Sequence, residues 1–364
     1  MLKRRQFVQT AAATTLEARG AQSCDSGDIS YEKAVSQTWR HTKPIPTDER
    51  AIQRELVRYA TLAASSHNTQ CWKFKLENQS ISILPDLERR CPAVDPDDHH
   101  LYASLGCATE NLLQAAQAYG LQGTVDVATA DRIRIQMEPI QPVASPLFEA
   151  IPLRQSTRTD YDGQPLKNEE LKQLEQVGCG KGINLILLTD KQAMEEILEY
   201  VVEGNTAQIN DLAFVKELKT WIRFNEQEAV RKGDGLFAKS AGNPTAPHWL
   251  GSFMFDRVFK PKAENQKYAN QMHSSAGIAI FVSDANTPSH WVEVGRCYQR
   301  FALQATALGI RTAFLNQPVE VATLRPQFAN YLGIGDRRPD LVIRFGRGPE
   351  MPRSLRRPIE AVLI

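Results

Sequence analysis

The stretch of sequence that decides the fold reads Ala64-Ser65-Ser66-His67-Asn68-Thr69-Gln70-Cys71-Trp72. Before it, apolar residues recur at helical spacing, and after it polar and apolar residues alternate as they do in a strand. The hydroxyl and amide side chains place several short hydrogen-bonding groups in one turn, where a planar polar ligand can bind, while Trp72 anchors the strand behind them. The stretch therefore predicts a helix, a ligand-binding turn and a strand in succession.

The patterns on either side of this turn predict helices and strands in two successive groups. The first group consists of an N-capped helix, a hairpin, a long helix and two further strands, at about 47–63, 72–76, 81–84, 101–119, 124–128 and 133–137. The second group contains helices and strands at about 168–176, 183–188, 191–200, 205–232, 276–282 and 291–308. Residues 1 to about 45 look irregular. We therefore expect an α+β protein whose helix-and-strand unit starts again in its second half.

The two long helices resemble each other. Gly106 and Gly120 are 14 positions apart, as are Gly295 and Gly309, and each pair encloses small and apolar residues at equivalent positions. This similarity indicates an internal repeat, although two alanine-rich helices would also resemble each other without one. Glycine inside a helix is unfavourable, so Gly106 and Gly295 predict a close approach between helices.

Length, charge and cysteine content limit the functions that the chain can have. Its 364 residues suit two domains or a duplicated one, and a formal net charge of +1 does not favour nucleic acid or anionic lipid as a partner. No apolar run approaches the about 20 residues of a membrane span. The six cysteines contain no Cys-x-x-Cys pair, and the His99-His100 doublet has no cysteine at ligand spacing, so we expect neither a metal site nor a disulfide scaffold.

The first residues leave the cellular location open. Lys3-Arg4-Arg5-Gln6-Phe7-Val8 resembles a twin-arginine export signal, but the apolar stretch that follows is short and ends at Glu17. A disordered basic tail is the alternative. Export and a cytoplasmic location are therefore both open.

A second group of functional side chains opens the second half, in Arg154-Gln155-Ser156-Thr157-Arg158. In an extended segment, alternation places Arg154, Ser156 and Arg158 on one side. Two guanidinium groups and a hydroxyl form a strong phosphate receptor. The alternative is a solvated basic turn.

Both groups resemble motifs of the flavin-dependent nitroreductases. Residues 65–72 are similar to the family's Ser-Ser-x-Asn-x-Gln-Pro-Trp signature, and residues 154–158 to its Arg-x-Ser-x-Arg motif for the FMN phosphate. Residues 312–318 stand where the family has a loop along the flavin ring, and residues 341–348 resemble its late strand. The resemblance implies that FMN is bound by Ser65, Ser66, Asn68, Gln70, Arg154, Ser156, Arg158, Asn316, Gln317, Pro318 and Arg347. Cys71 replaces the family's proline, and we interpret it as a small buried hydrophobic residue.

The distribution of these motifs implies an unusual domain organisation. The signature turn occurs only in the first half, and the phosphate motif only in the second. In ordinary nitroreductases, two subunits supply these elements. The resemblance is therefore closest to the fused, Acg-like branch, and it implies a nitroreductase-like α+β fold. We expect a tail at 1–45, a degenerate half at 46–145 and a second half at 146–364, each half with a mainly antiparallel sheet. Together the halves would form an intrachain pseudo-dimer, a monomer that could associate further.

The implied function is an FMN-dependent oxidoreductase. Hydride from NADH or NADPH would reach FMN and pass to a nitroaromatic, a quinone or a similar small acceptor, with the flavin carrying the chemistry and no catalytic side chain or metal required. The segment at about 231–270 is long, glycine-flanked and rich in large apolar residues. It is either a lid that opens for substrate or a plug that covers the flavin. A flavin-sequestering protein without turnover is therefore the alternative.

Overall fold

The computed structural model describes residues 29–129 and 131–364. The predicted export signal at residues 3–8 lies outside the described residues. Within the described residues, no helix is both long enough and apolar enough to cross a membrane. The same residues contain no group of three or more His, Cys, Asp or Glu side chains arranged to hold a metal ion.

The first half forms a four-stranded antiparallel sheet covered by helices. Its elements are α1 (Tyr31–Thr38), α2 (Glu49–Thr61), β1 (Trp72–Glu77), β2 (Ser80–Pro85), α3 (His99–Ala118), β3 (Leu121–Thr129) and β4 (Arg132–Pro139). The strand order is β1-β2-β4-β3. Asp48 caps α2, because its side chain accepts a hydrogen bond from the Ala51 backbone N–H. Gly120 ends α3 with a φ of 77°, in the left-handed region that favours glycine.

The second half contains another four-stranded antiparallel sheet and most of the helices. Its elements are α4 (Pro146–Ala150), α5 (Asn168–Gly178), β5 (Ile183–Leu188), α6 (Lys191–Asn210), α7 (Leu212–Trp221), β6 (Ile222–Arg223), α8 (Glu226–Lys232), β7 (Leu236–Phe237), α9 (His248–Val258), α10 (Pro261–His273), β8 (Gly277–Ser283), α11 (Pro288–Ala307), β9 (Arg311–Phe314), α12 (Gln317–Glu320), α13 (Arg325–Tyr331) and β10 (Arg338–Gly346). The strand order is β5-β8-β10-β9, so the apolar strand β8 is interior, as its composition predicts. The predicted α+β fold with two tandem, mainly antiparallel sheets is confirmed.

Helices α3 and α11 pack against each other at the centre of the molecule. A Cβ atom on Gly106 would lie 2.0 Å from the Val292 carbonyl oxygen, and one on Gly295 would lie 1.9 Å from the Ala103 carbonyl oxygen. Only a residue without a side chain allows this backbone approach, which confirms the close contact expected from the two glycines. One continuous apolar core runs from the first sheet through α3 and α11 to the second sheet.

The end of the chain returns to the first half. The Phe74 N–H donates to the Val362 carbonyl oxygen at 2.7 Å, and the Ile364 N–H donates to the Phe74 carbonyl oxygen at 3.0 Å. These bonds add residues 362–364 alongside β1, parallel to it. The two halves are therefore joined by backbone hydrogen bonds between the end of the chain and β1, as well as by packed helices.

Three local expectations differ from the structure. Residues 31–38, expected to be irregular, form α1, and Tyr31 packs against Phe237. The single helix expected over 205–232 is divided among α6, α7 and α8, because Asp211 and Asn225 each accept a hydrogen bond from a backbone N–H and start a new helix. The apolar segment 231–270, expected to be a flexible loop, contains α9 and α10.

Candidate active site

Two connected cavities lie between the halves of the chain. The main cavity measures about 400 Å³, and a smaller annex beside it measures about 60 Å³. They share the lining residues Ala64, Ser65, Ser156, Arg158 and Leu236. The structure thus brings the early turn and the later arginine motif to the same place. Cavities of about 300–1,000 Å³ are typical of small-molecule and cofactor sites.

The early turn is an unusual piece of backbone. His67, Asn68 and Gln70 have φ values of 45°, 52° and 54°, in the left-handed region that residues with a Cβ adopt at a cost. The turn is held in place because the Gln70 N–H donates to Ser65 Oγ at 2.9 Å and the Ser66 N–H donates to Ser104 Oγ at 3.1 Å. Ser65, Ser66 and His67 line the main cavity as a result.

The two amides of the turn do not point into the main cavity. Gln70 is fully buried; its Nε2 donates to the Gly233 carbonyl oxygen at 2.8 Å, and its Oε1 accepts from the Arg357 N–H at 2.8 Å. Asn68 lines only the annex, and its Nδ2 donates to the carbonyl oxygens of Gly235 and Leu355. The contact of Gln70 with the ligand stays a prediction, and both ends of its amide already have protein partners. Both amides instead tie the turn to residues 233–235 and to the end of the chain.

The annex is lined by four arginines. Arg154, Arg158, Arg353 and Arg356 surround it with Ser65, Ser156, Ser240 and Ser354, and no acidic residue is among its lining residues in the described part of the chain. The pKa of Arg356 lies well below its ordinary value, chiefly because the residue is buried. The positive charges of Arg154 and Arg353 lower it further, because they repel the guanidinium group of Arg356. A set of buried and half-buried positive charges without a carboxylate beside it is a receptor for an anion.

Arg154 has the clearest unused donors in the annex. It is 3% exposed, and among the described residues its side chain makes one hydrogen bond, from Nη2 to the Leu62 carbonyl oxygen at 3.3 Å. Its Nε and Nη1 atoms are buried without a partner. Arg356 differs, because its guanidinium donates to the carbonyl oxygens of residues 61–63 at the end of α2. Arg356 stabilises that helix end while adding positive charge to the annex.

Arg347 does not take part in this site. Its Nη2 pairs with Glu170 Oε1 at 2.6 Å, and the residue lines neither cavity. The role of Arg347 at the phosphate stays a prediction, and the structure places it away from the annex with its guanidinium paired to a carboxylate from α5. Arginines 353 and 356, a few residues further along the chain, lie beside the annex instead.

The loop after β9 reaches the main cavity in part. Asn316 and Gln317 line it, and the Gln317 Oε1 atom is buried without a partner. Pro318 lines neither cavity; it is a buried residue of α12, where its fixed φ suits the start of a helix. The contact of Pro318 with the ligand stays a prediction, and the structure does not bring this residue to either cavity wall.

The segment 231–270, which we call the lid segment, covers the main cavity with apolar side chains. Met254, Phe255 and Val258 of α9 line the cavity, but Met254, Val258 and Trp249 are also 42%, 60% and 70% exposed to solvent. Ion pairs hold α9 to the rest of the second half, from Lys219 to Asp256 at 2.7 Å and from His248 to Glu228 at 2.6 Å. Because these ion pairs lie at least partly in solvent, each contributes little to holding the lid segment down.

A buried polar cluster forms another wall of the main cavity. His67, His100 and Glu320 line it, and His100 Nε2 lies 3.4 Å from Glu320 Oε1. Behind His100, His99 Nε2 lies 2.8 Å from Asp340 Oδ1. The sequence around the histidine doublet gives no sign of this cluster, because the carboxylates that pair with it come from residues more than 200 positions later.

Cys71 has the environment expected of a small buried residue. It is 1% exposed and lines neither cavity. Burial raises the pKa of its thiol to about 11. Its thiol is therefore a poor nucleophile at neutral pH.

Comparisons with known proteins agree with the resemblance in the sequence motifs. No protein-family model matches the chain. Two putative NAD(P)H nitroreductases of Mycobacterium tuberculosis match it: Rv3131 is 24% identical over 327 residues, which cover 85% of this chain and 90% of the relative. The protein named acg is 20% identical over 324 residues, which cover 85% of this chain and 95% of the relative. The chain resembles the nitroreductases. The predicted resemblance to this superfamily and to Acg is confirmed.

Solved nitroreductases match a part of the chain. The FMN-dependent nitroreductase NfnB from Mycobacterium smegmatis, in complex with NADPH, is 13% identical with a TM-score of 0.39, and the match covers 59% of this chain and 96% of NfnB. A nitroreductase with bound FMN from Desulfitobacterium hafniense is 12% identical with a TM-score of 0.37, and covers 59% of this chain and 95% of the neighbour. The assignment of the site in this chain therefore comes from its own cavities and contacts.

Proposed function

We propose that this nitroreductase-like chain binds FMN in the joined cavities and acts as an oxidoreductase. The observation that carries the proposal is the annex, where the buried Arg154 and three half-buried arginines face one small space, with no carboxylate among its described lining residues. A phosphate group would balance that charge and satisfy the two free N–H groups of Arg154. The adjoining cavity of about 400 Å³ suits a ring system of cofactor size.

The polar atoms of the main cavity support a flavin ring there. Ser65, Ser66 and Asn316 line it, and Gln317 Oε1 and His67 Nδ1 are buried without protein partners. Unpaired buried polar atoms are costly, and a ligand with a polar edge would satisfy them. Ser156 and Arg158 would then lie where phosphate and ring meet, because they line both cavities. When bound, FMN supplies the redox chemistry, which this chain binds, orients and shields.

We propose further that the chain is an intrachain pseudo-dimer. Gly106 packs on the Val292 carbonyl, and Gly295 packs on the Ala103 carbonyl. The same shift in sequence number that takes Gly106 to Gly295 also takes Ala103 to Val292. Two hydrogen bonds between the helices are related by the same shift. Glu110 accepts from Arg300 at 2.9 Å, and Asn111 accepts from Gln299 at 2.7 Å. Reciprocal contacts of this kind are typical of an interface with two-fold symmetry. The early turn and the arginine motif each occur once in the sequence, which supports one FMN for each chain.

The proposed reaction passes hydride from NADPH or NADH to an acceptor such as a nitroaromatic or a quinone. The apolar lid side of the main cavity suits an uncharged aromatic acceptor, because Met254, Phe255 and Val258 offer it no polar contacts. An alternative is a protein that sequesters the flavin. That alternative is favoured by the position of α9, which lies directly over the cavity.

The test is the visible absorption spectrum of protein reconstituted with FMN, recorded before and after anaerobic NADPH. We expect one FMN per chain, bleaching by NADPH or NADH, and recovery of the colour with a nitroarene or a quinone. Yellow protein that neither cofactor bleaches would support sequestration instead. Failure of the protein to bind FMN would contradict both functions.

A further inference from the structure

We propose that His100 and Glu320 form a proton-donating pair that serves acceptors in the main cavity. This inference rests on the proposed function and goes beyond it, because it assigns two side chains to the transfer of a proton. The pair would protonate the acceptor when the acceptor receives a hydride. The acceptor class is then one whose reduction consumes a proton, such as a quinone.

The two side chains are joined to each other and to the cavity. His100 Nε2 lies 3.4 Å from Glu320 Oε1, and both residues are part of the cavity wall. The Gln208 amide donates to Glu320 Oε2 at 2.6 Å, which leaves Oε1 for the histidine and for a ligand. His100 and Glu320 side chains are 7% and 17% exposed, so an acceptor in the cavity would meet them with little competing water.

The surroundings of His100 favour its protonated form. Burial alone would lower the pKa of His100, but the hydrogen bond to Glu320 and the negative charges of Asp95 and Glu320 raise it above its ordinary value. Arg338 acts in the opposite direction and does not reverse the rise. Burial also favours the protonated form of Glu320, yet His100 and Gln208 draw its pKa below the ordinary value. The other histidine of the wall, His67, is neutral at pH 7, because burial lowers its pKa to about 4.

His99 lies behind His100 and connects it to a second carboxyl group. His100 Nδ1 and His99 Nδ1 lie 3.2 Å apart, so one of the two must donate. Burial holds the pKa of His99 well below its ordinary value, which makes His99 a neutral ring. His99 Nε2 lies 2.8 Å from Asp340 Oδ1. The His100–Glu320 pair is therefore one end of a buried network of titratable groups beside the cavity.

The proposed step balances in atoms and electrons. A quinone that takes up a hydride gains two electrons and one hydrogen, and becomes a hydroquinone anion. One proton from the His100–Glu320 pair converts the anion to neutral hydroquinone, and His100 is left neutral. Solvent returns the proton after the product leaves. The electrons come from NADPH or NADH through the proposed cofactor.

The test compares two acceptors. Protein loaded with FMN and reduced by light would be mixed without oxygen with 1,4-benzoquinone, or with ferricyanide, which takes electrons without taking a proton. We expect reoxidation by the quinone to be about 100-fold slower or more in His100→Gln and in Glu320→Gln, the range for loss of a general acid. Reoxidation by ferricyanide should not change. Asp97→Asn is the matched control, because Asp97 lies in the same charge network and does not line the cavity.

A pH profile and a measurement without turnover complete the test. The quinone rate of the wild type should fall as pH rises through the pKa of the pair, and this dependence should be absent from His100→Gln. In FMN-free protein, nitrogen NMR of the imidazole rings should show His100 titrating above free histidine, and at lower pH in Glu320→Gln. FMN titration of every variant would confirm that the site is intact.

The outcomes separate this inference from the proposed function. Unchanged quinone rates in both variants would overturn the pair as a donor, and equal slowing with both acceptors would reduce it to a structural role. A histidine that titrates below the ordinary value would also overturn it. Wild-type protein that binds no FMN, or that no acceptor reoxidises, would instead refute the proposed function. The His100–Glu320 pair would then have no acceptor to protonate.

Discussion

Individual side chains in the cavities are distinguished by whether their polar atoms already have partners. Arg154 has two buried N–H groups without a partner, whereas Arg347 is paired with Glu170. Both arginines are adjacent to motifs that resemble the nitroreductases, and only the tertiary contacts separate their roles. An arginine whose donors are satisfied by a carboxylate gains little from a second anion.

Loss of either arginine of the motif should weaken FMN binding. We expect Arg154→Ala and Arg158→Ala each to cost about 1.5–3 kcal/mol of binding free energy, the range for hydrogen bonds to charged groups. Titration of the protein with FMN, followed by flavin fluorescence, would measure the change. Arg347→Ala is the control and should bind FMN as the wild type does. Unchanged affinity in both motif variants would remove the phosphate from the annex.

The His99–Asp340 pair predicts opposite pH effects in two variants. Burial raises the pKa of Asp340 to about 7 and lowers that of His99, so in the folded protein the pair keeps its proton on the carboxyl side. An unfolded chain would hold that proton on His99 between about pH 4 and 6.5. The two effects cancel in the wild type, because the folded and unfolded pairs bind equal numbers of protons over that range.

Each single variant would uncover one of the two effects. In Asp340→Asn only His99 remains, the unfolded state binds more protons, and stability should rise as pH increases from 4 to 6.5. In His99→Gln only the raised carboxyl remains, the folded state binds more protons, and stability should fall over the same interval. Urea denaturation at several pH values would measure both slopes. Slopes of the same sign would contradict the assignment.

At the scale of elements, the contact between α3 and α11 decides how the two halves meet. Each helix presents a glycine to a backbone carbonyl of the other, and the distances that a Cβ would have, 2.0 and 1.9 Å, are nearly equal. A backbone carbonyl cannot move aside as a flexible side chain can. The two glycines therefore set the distance between the helices.

Alanine at either glycine should destabilise the protein. We expect Gly106→Ala and Gly295→Ala each to lower the free energy of unfolding by about 1–3 kcal/mol, because overpacking outweighs the gain in helix propensity. Ala307→Ser is the control, since Ala307 is on the exposed side of α11. Chemical denaturation would measure the three variants. A stabilised Gly106→Ala or Gly295→Ala protein would show that the helices can separate at no cost.

The composition of the lid segment predicts its position over the ligand but not its helices. Its glycine-flanked, aromatic composition predicted a segment over the ligand, and residues from Leu236 to Tyr268 do line the main cavity. Its helices were missed because they carry apolar side chains on both the cavity side and the solvent side, such as Phe255 and the exposed Trp249. Such a segment has no clear helical periodicity.

At the scale of the whole molecule, the last residues of the chain close the structure. Val362 is fully buried in the core that both halves share, and residues 353–357 reach the annex and the early turn on the way. The arginines of the annex therefore depend on where the final residues attach. Packing at the end of the chain should affect stability and FMN affinity together.

Truncation of the buried valine tests this connection. Val362→Ala should lower the free energy of unfolding by about 2 kcal/mol, from two lost methyl groups and the space that they leave. FMN affinity should fall with it, because the attachment beside β1 positions the preceding arginines. Ile364→Ala keeps the same backbone hydrogen bond with an exposed side chain, and it should change neither quantity. Loss of stability without loss of affinity would separate the annex from the end of the chain.

The sequence by itself was sufficient for the α+β class, the main strands, the two central helices and the early turn. These features depend on local periodicity, on glycine and on caps, which act over a few neighbouring residues. The motifs Ser65-Ser66 and Arg154 to Arg158 were also enough to predict that two distant segments meet at one ligand, and the structure places them around connected cavities.

Only the tertiary structure decided which side chains in those motifs are free to bind. Gln70, Pro318 and Arg347 fit the motifs, yet each is occupied or placed elsewhere by a partner that the sequence does not bring near. His100 and Glu320 lie 220 positions apart in sequence, and the tertiary structure places His100 Nε2 3.4 Å from Glu320 Oε1. Local sequence determines which conformations a segment prefers, whereas long-range packing determines which polar atoms are left without partners, and ligands bind to those atoms.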